Sequence, residues 1–328
     1  MDGNKSKKLL ITGNDSDSGV IAFLAKIAFG GNIDIVHSGN SSDADKTIRR
    51  EILQFSGFEK YDTIFIAKIT FSSQATIDVI EDISREFPSC KILYINHQAI
   101  NKHLADKSWT RIKTEIDGQQ VMSADIFYKM LREDYQFKGN DWIDNLVNVS
   151  RQYGLYEWRK SGDLLPRRFN DFYFSKLPKD FVFNMLEKYY MKSDLISLKE
   201  MEDIIKKEED YKSLLERKKN EIEIKRLTVE DKEYKVAFIQ ADEYVSELGY
   251  DIATDTPNVD MTAIITSSYD KIRFRRGANN DNIDVSVVAR AFGGNGNPAA
   301  AGCRVTPEIQ KILKSTITNT LLKLYKLR

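Results

Sequence analysis

Histidine is scarce in this chain. Among 328 residues only His37, His97 and His103 occur, which nearly excludes a His-rich metal centre. Cysteine is scarcer: Cys90 and Cys303 cannot build a disulfide framework, and their number points to a reducing compartment. A charge of one sign is missing too. Lys and Arg number 49, as do Asp and Glu, so no global field draws the chain to nucleic acid or an acidic membrane. Any phosphate must then be met by a local patch. No apolar run approaches the roughly 18–20 residues that span a bilayer. Met1–Lys8 is polar, charged and followed directly by Leu9-Leu10-Ile11, unlike a signal peptide, so a cytoplasmic location is expected. What is present, 41% hydrophobic and 30% charged residues, suits a globular chain with sizeable cores, and the length suits two domains. Frequent Lys, Asn and Ile fit an AT-rich genome, bacterial or phage.

The first 130 residues alternate strand and helix signals. Strands are expected at Lys8–Thr12, Ile33–His37, Thr63–Ile66 and Lys91–Ile95, with helices at Gly19–Phe29, Ala44–Phe55 and Ser73–Glu86. This pattern predicts a doubly wound parallel sheet, whose ligand crevice lies at the carboxyl ends of its strands. Gly13–Ser18, Lys68 and Asn96–Gln98 all fall at such ends and can converge. Helices are expected at Ser123–Asp134, Trp142–Tyr153 and Asp180–Tyr190. Ser197–Lys225 reads as a charged connecting helix without a sustained coiled-coil seam. A smaller α/β region follows, with strands at Lys235–Phe238, Met261–Thr266 and Lys271–Arg275 and helices at Asp242–Leu248 and Val285–Ala291. A last helix starts at Thr306-Pro307-Glu308 and runs towards Leu327. The expected domains are 1–190, a charged helical linker 191–230, and 231–328, with a cleft between the two domains.

Two segments carry chemistry. In Thr12–Gly19, Asp15 and Asp17 are hard oxygen ligands at a strand end, suited to divalent cations. They are equally suited to capping the free N–H groups of the next helix, and the residues leave both readings open. In Phe292–Gly302, the run Gly293-Gly294-Asn295-Gly296-Asn297-Pro298 could bring successive N–H groups close to an anion or form a turn without a ligand. Just before it, alternation places Arg273 and Arg275 on one strand face, suited to bidentate phosphate contact.

These residues resemble the DHH/DHHA1 phosphoesterase family, which includes nanoRNase-type oligoribonucleases and cyclic-dinucleotide phosphodiesterases. Leu10–Gly19 is similar to the first family motif, Tyr61–Thr70 to the second, Tyr94–Gln98 to the Asp-His-His motif and Val149–Trp158 to the fourth. Ser246–Gly249 with Ala263–Gly302 resembles the DHHA1 domain and its Gly-Gly-Gly-Gly-His-Pro loop. The resemblance implies a two-domain fold, phosphodiester substrates, frequent dimers and two Mn²⁺ ions. It also exposes departures. The motif-one His position is Gly13, and Asp15 and Asp17 remain. The bridging Asp of motif two falls on Lys68, and Asp-His-His reads Asn96-His97-Gln98. The motif-four Asp falls on Gly154, and in the glycine loop Asn295 stands for a Gly and Asn297 for the His.

A two-metal site needs a bridging carboxylate, and Lys68 brings an ammonium there instead. The expectation is that Lys68 pairs with Asp15 and Asp17, with no metal or other cofactor bound, and that Arg273, Arg275 and Gly293–Asn297 still hold a nucleotide, dinucleotide or short single-stranded oligonucleotide in the cleft. Two other readings stay open. One is an active phosphodiesterase with Mn²⁺ or Mg²⁺ at Asp15, Asp17 and His97, or with a migrated ligand such as Asp144 or Glu157. The other is an assembly subunit with a vestigial cleft, partnered by itself or another protein.

Overall fold

The computed structural model describes residues 7–39, 41–71, 73–98 and 102–307. Its first part runs β1 Lys8–Thr12, α1 Ser16–Phe29, β2 Ile33–His37, α2 Ser41–Arg49, a π turn Arg50–Gln54, α3 Gly57–Lys60, β3 Thr63–Ala67, α4 Gln74–Glu86, β4 Lys91–Asn96, α5 Lys102–Ala105 and β5 Thr110–Ile112. A small hairpin, β6 Glu115–Ile116 and β7 Gln119–Gln120, leads to α6 Ser123–Asp134, α7 Asp141–Gly154, α8 Glu157–Ser161, α9 Leu165–Phe174 and α10 Pro178–Met191. Then come α11 Leu198–Lys219, β8 Glu223–Val229, β9 Lys232–Gln240, α12 Val245–Asp255, β10 Met261–Ile265, β11 Lys271–Arg276, α13 Val285–Ala291, β12 Asn295–Gly296 and β13 Ala300–Arg304. Two compact units divide within α11, between Ile204 and Ile205.

The first unit holds a parallel sheet in the order β2-β1-β3-β4-β5. Every residue of β1 and β3 is buried, because helices cover both sheet faces. Side chains alternate between two cores. Leu10, Phe65 and Leu93 pack on the side of α1, α6, α7 and α10, while Leu9, Ile64 and Ile92 pack on the side of α2 and α4. The chain leaves β1 towards β2 on one side and reaches β3 on the other. The β1/β3 junction is therefore the switch point of this doubly wound sheet, where loops part and leave a crevice.

The second unit holds a mixed sheet in the order β12-β13-β11-β10-β9-β8, with β9 and β10 parallel and the remaining pairs antiparallel. Helix α12 closes one face over Ala237, Ile239 and Ile264, and α13 closes the other over Val236, Ala263 and Phe274. No helix among the described residues is long and apolar enough to cross a membrane.

Several expectations are corrected. Helix α1 starts at Ser16, three residues before Gly19, because the Asp15 side chain caps it. The helix read over Ser197–Lys225 closes at Lys219, and Glu223–Val229 is an edge strand whose charges mask its β pattern. The helix read at Asp242–Leu248 runs Val245–Asp255. Ala300–Gly302, read as small residues behind a loop, belongs to β13. The terminal helix expected towards Leu327 lies outside the described residues beyond Pro307.

Candidate functional site

Gly13, Asn14 and Asp15 follow β1, and Lys68, Ile69 and Thr70 follow β3. With Gly39 they line a cavity of about 230 Å³ at the switch point. Asp15 accepts from Ser18 N at 2.8 Å and Ser18 Oγ at 2.7 Å, so the helix-capping reading holds for it. Its second oxygen faces Lys68. Asp17, in the first turn of α1, is buried beneath. It accepts from Ser123 N at 3.2 Å, Ala124 N at 3.3 Å and Ser150 Oγ at 3.4 Å. Those two amides open α6 and have no partner within it, so Asp17 caps α6 from another element. Burial pushes the Asp17 carboxyl up to about 6 against the pull of Lys68, and Asp15 and Asp125 add to the rise.

Lys68 sits in the left-handed region, with φ 57°. Its N–H donates to Ile95 O at 3.0 Å, and its ammonium lies 3.7 Å from Asp15 Oδ2 and 3.8 Å from Asp17 Oδ2. Unit charges about 4 Å apart attract by roughly 4 kcal/mol at an effective dielectric near 20. Desolvation costs several kcal/mol per buried ion, and the half-exposed Asp15 is further screened. Lys68 therefore offsets the burial of Asp17 more than it adds stability.

Asn96 is buried. It donates to Ile69 O at 3.0 Å and Tyr94 Oη at 2.8 Å, and accepts from Gln98 N at 3.0 Å. It thereby ties the β3 and β4 loops together, while the Gln98 side chain is exposed. His97 Nδ1 shares a 3.0 Å hydrogen bond with Ser123 Oγ. Burial, reinforced by Lys68, holds His97 down at about 3, so its imidazole is neutral at pH 7. Gly154 ends α7 with the Met122 side chain against it: a Cβ there would lie 2.3 Å from Met122 Cε. Asp15, Asp17, Lys68, Asn96 and His97 thus converge, with Gly13 and Gly154 flanking them. Sequence reasoning missed Ser123, Ser150 and Met122. The helix start at Ser123 was expected, but its pairing with Asp17 was not; Asp125, two positions on, bonds Met122 N at 2.9 Å.

In the second unit, Arg273 stands opposite Gly302 and Ile264, and Arg275 opposite Ala300 and Thr262, so both arginines share the α12 face of the sheet. Asn295 is opposite Gly302 in the same row. Arg275 donates to Ser246 Oγ at 3.0 Å and Phe274 O at 2.9 Å, and packs over Gly249, where a Cβ would meet its Cγ at 2.8 Å. Arg273 is exposed. The amide cradle expected of Gly293–Asn297 needs correcting. Gly293 N donates to Arg290 O at 2.9 Å, Gly294 N to Ala289 O at 2.8 Å, Gly296 N to Asn295 Oδ1 at 2.8 Å and Asn297 N to Ala300 O at 2.9 Å. The Asn297 side chain accepts from Ala299 N and Ala300 N. These donors close α13 and turn the chain into β13, so the segment reads as a turn. A cavity of about 500 Å³ in this unit, around Thr254, Asn258 and Asn280, is not lined by these arginines.

No family model matches the chain. Oligoribonuclease NrnB of Bacillus subtilis (strain 168) is 27% identical over 313 residues, which cover 92% of this chain and 74% of that protein. RecJ of Thermus thermophilus, solved with Mn²⁺, superposes at a TM-score of 0.56 and 10% identity, over 97% of this chain and 52% of its own. The pGpG-specific phosphodiesterase PggH of Vibrio cholerae superposes at 0.51 and 11% identity, over 97% and 99%. These likenesses give the chain the two-domain fold of RecJ-type structures and a sequence similarity to an oligoribonuclease, in line with the resemblance to the DHH/DHHA1 phosphoesterase family.

DHH relatives bind Mn²⁺ or Mg²⁺, as the RecJ structures show. The residues at this DHH-type site do not fit two such ions. Gly13 offers no ligand and no room for one, because a Cβ would stand 2.9 Å from Lys68 O and from Ser18 Oγ. Lys68 presents positive charge to the two carboxylates. Met122 fills the space beside Gly154. No cluster of three or more His, Cys, Asp or Glu groups suited to a metal occurs among the described residues.

Proposed function

We propose that this chain is a catalytically degenerate DHH/DHHA1 phosphoesterase that binds a nucleotide, dinucleotide or short single-stranded oligonucleotide without cleaving it. The observation that carries this reading is Lys68. Its ammonium lies within 3.8 Å of both remaining carboxylates, at the strand end where the family places a bridging carboxylate. Charge that two cations would neutralise is met by the chain itself. Phosphate recognition falls to side chains in place of loop amides. Arg273 is exposed beside the side-chain-free Gly302 and the Asn295 amide, and Arg275 is held in register by Ser246. The ligand class is drawn from the relative named as an oligoribonuclease. The proposed setting is the cytoplasm, where Cys90 and Cys303 stay as free thiols.

The rival is an active enzyme with Mn²⁺ or Mg²⁺ at Asp15, Asp17 and His97, favoured by sequence similarity that spans 92% of the chain. Elemental analysis after purification with Mn²⁺, turnover of a labelled dinucleotide and calorimetry with dinucleotides separate the two. Binding without stoichiometric metal or turnover is expected. Mn²⁺-dependent hydrolysis abolished in Asp15→Ala would establish the active enzyme, and neither binding nor turnover would favour an assembly role.

A further inference from the structure

At the end of α7 and beyond it, on the flank of the site and overlapping the segment similar to the fourth family motif, lies an aromatic and cationic cluster. Tyr156 is 48% exposed and sits in the left-handed region at φ 59°. The Arg159 guanidinium lies 6.0 Å from the Tyr156 ring centroid and 4.7 Å from that of Trp158. Arg167 approaches Trp158 from 5.9 Å, and the Tyr153 ring stacks on Trp158 at 6.4 Å with an interplanar angle of 11°. Tyr156 is thus the exposed member of an ordered stack whose inner members are held by ring and guanidinium contacts.

We propose that Tyr156, backed by Arg159, is a stacking platform for a nucleobase of the bound nucleotide. The proposal rests on the nucleotide-binding reading above and adds where a base is held.

Three observations support it. First, the platform is anchored to the site. Helix α7 supplies Ser150, which donates to Asp17, and Arg151, which bonds Asp125 at 3.3 Å, and it ends against Met122. Tyr156 follows two residues after its last residue, Gly154. Second, the local charge suits a phosphodiester. The stretch 151–168 sets Arg151, Arg159, Lys160, Arg167 and Arg168 against Glu157 and Asp163. Bases stack on aromatic rings and arginine planes whatever their identity, while nearby cations track the backbone. Third, the backbone is costly for the residue it carries. A left-handed position favours Gly or Asn over a bulky side chain, and the other end of α8 uses Gly162 at φ 75°. The half-exposed Tyr156 ring contributes less by burial than the Trp158 ring behind it. A strained backbone under an exposed ring is the combination expected where strain is kept for binding.

The test is calorimetric titration of the full chain with a 5′-phosphorylated dinucleotide and with the same sugar-phosphate lacking its bases. Tyr156→Asn is expected to weaken the dinucleotide about tenfold, to leave the abasic ligand unchanged and to raise the thermal midpoint by relieving the backbone. Tyr156→Phe is expected to bind within about twofold of the parent, since the ring is kept. Equal loss of both ligands in Tyr156→Asn, or no loss of either, overturns the platform while the nucleotide-binding reading stands. A parent chain that binds neither ligand overturns both.

Discussion

The two segments that look most alike in chemical promise are built in opposite ways. After β1 and β3, side chains from four elements meet: Asp15 and Asp17 from the start of α1, Lys68 after β3, His97 after β4 and Ser123 from α6. Their charges compensate one another over distance in sequence. In Gly293–Asn297 the glycines promise open amides, but local hydrogen bonds to Ala289, Arg290, Asn295 and Ala300 engage them. Composition alone marks the first segment as cation-holding or helix-capping and the second as an anion cradle or a turn. Only the first keeps charged groups facing a cavity.

The sharpest way to break this contrast is to remove Lys68. Lys68→Met leaves Asp17 buried beside Asp15 without its cation and is expected to cost about 3 kcal/mol at pH 7, read by urea denaturation. The loss should shrink as pH falls. Asp17 already titrates near 6 in the folded chain against 3.8 as the ordinary value, and without Lys68 it moves higher, so acid restores the neutral form that burial prefers. A loss that grows on acidification would refute the compensation.

The turn gives the next largest effect. Gly294→Ala would place a Cβ 2.1 Å from Gly302 O and is expected to cost about 2–3 kcal/mol. Gly293→Ala, with open space but φ 71°, should cost about 1 kcal/mol. Equal tolerance of both changes would show that the turn is not packed on β13.

Ser123 N and Ala124 N donate to different oxygens of Asp17, so Asp17→Asn leaves one of them facing an amide NH2 and should cost about 1–2 kcal/mol at pH 7. Its signature is a pH profile. The parent gains stability from Asp17 as pH falls from about 6 towards 4, because the folded carboxyl binds its proton more tightly than the unfolded one. His97, held down at about 3, acts in the opposite sense: its stability is lost as pH falls below the ordinary value of 6.5. The difference between the parent and Asp17→Asn removes the His97 contribution, and it should rise on acidification. A flat difference would place Asp17 at an ordinary carboxylate value.

The smallest effect on stability is expected on the β11 face. Arg273→Ala should change stability by less than about 0.5 kcal/mol, yet weaken dinucleotide binding severalfold in calorimetry. Arg275→Ala should lose stability as well, since Ser246 Oγ loses its donor. Identical behaviour of the two variants would dissolve the distinction between a ligand-facing and a register-holding arginine.

Much of this was legible in the chain. Strands β1 and β2 and helices α6 and α13 fall where periodicity placed them, because both faces of the sheet and the inner faces of the helices demand apolar residues at fixed spacing. Convergence of Asp15, Lys68 and His97 followed from strand ends in a parallel sheet. Strand β8 was hidden because its first four residues are exposed and its apolar alternation is confined to Leu227 and Val229 at its end. Strand β13 was hidden because Ala300-Ala301-Gly302 carries no β signal of its own and is held by pairing with β11.

By itself the sequence determined the doubly wound architecture, the resemblance to DHH-type phosphoesterases and the presence of an ammonium, Lys68, at the carboxyl end of the third strand. These depend on residue type and spacing, which a linear chain displays. Tertiary structure alone decided that Asp17 caps α6, that Gly13 and Gly154 are hemmed in by Lys68 O and Met122, and that the glycine loop spends its amides on itself. Hydrogen bonds and close contacts are properties of pairs of groups. Which groups pair is settled only when the sheet brings distant strand ends together.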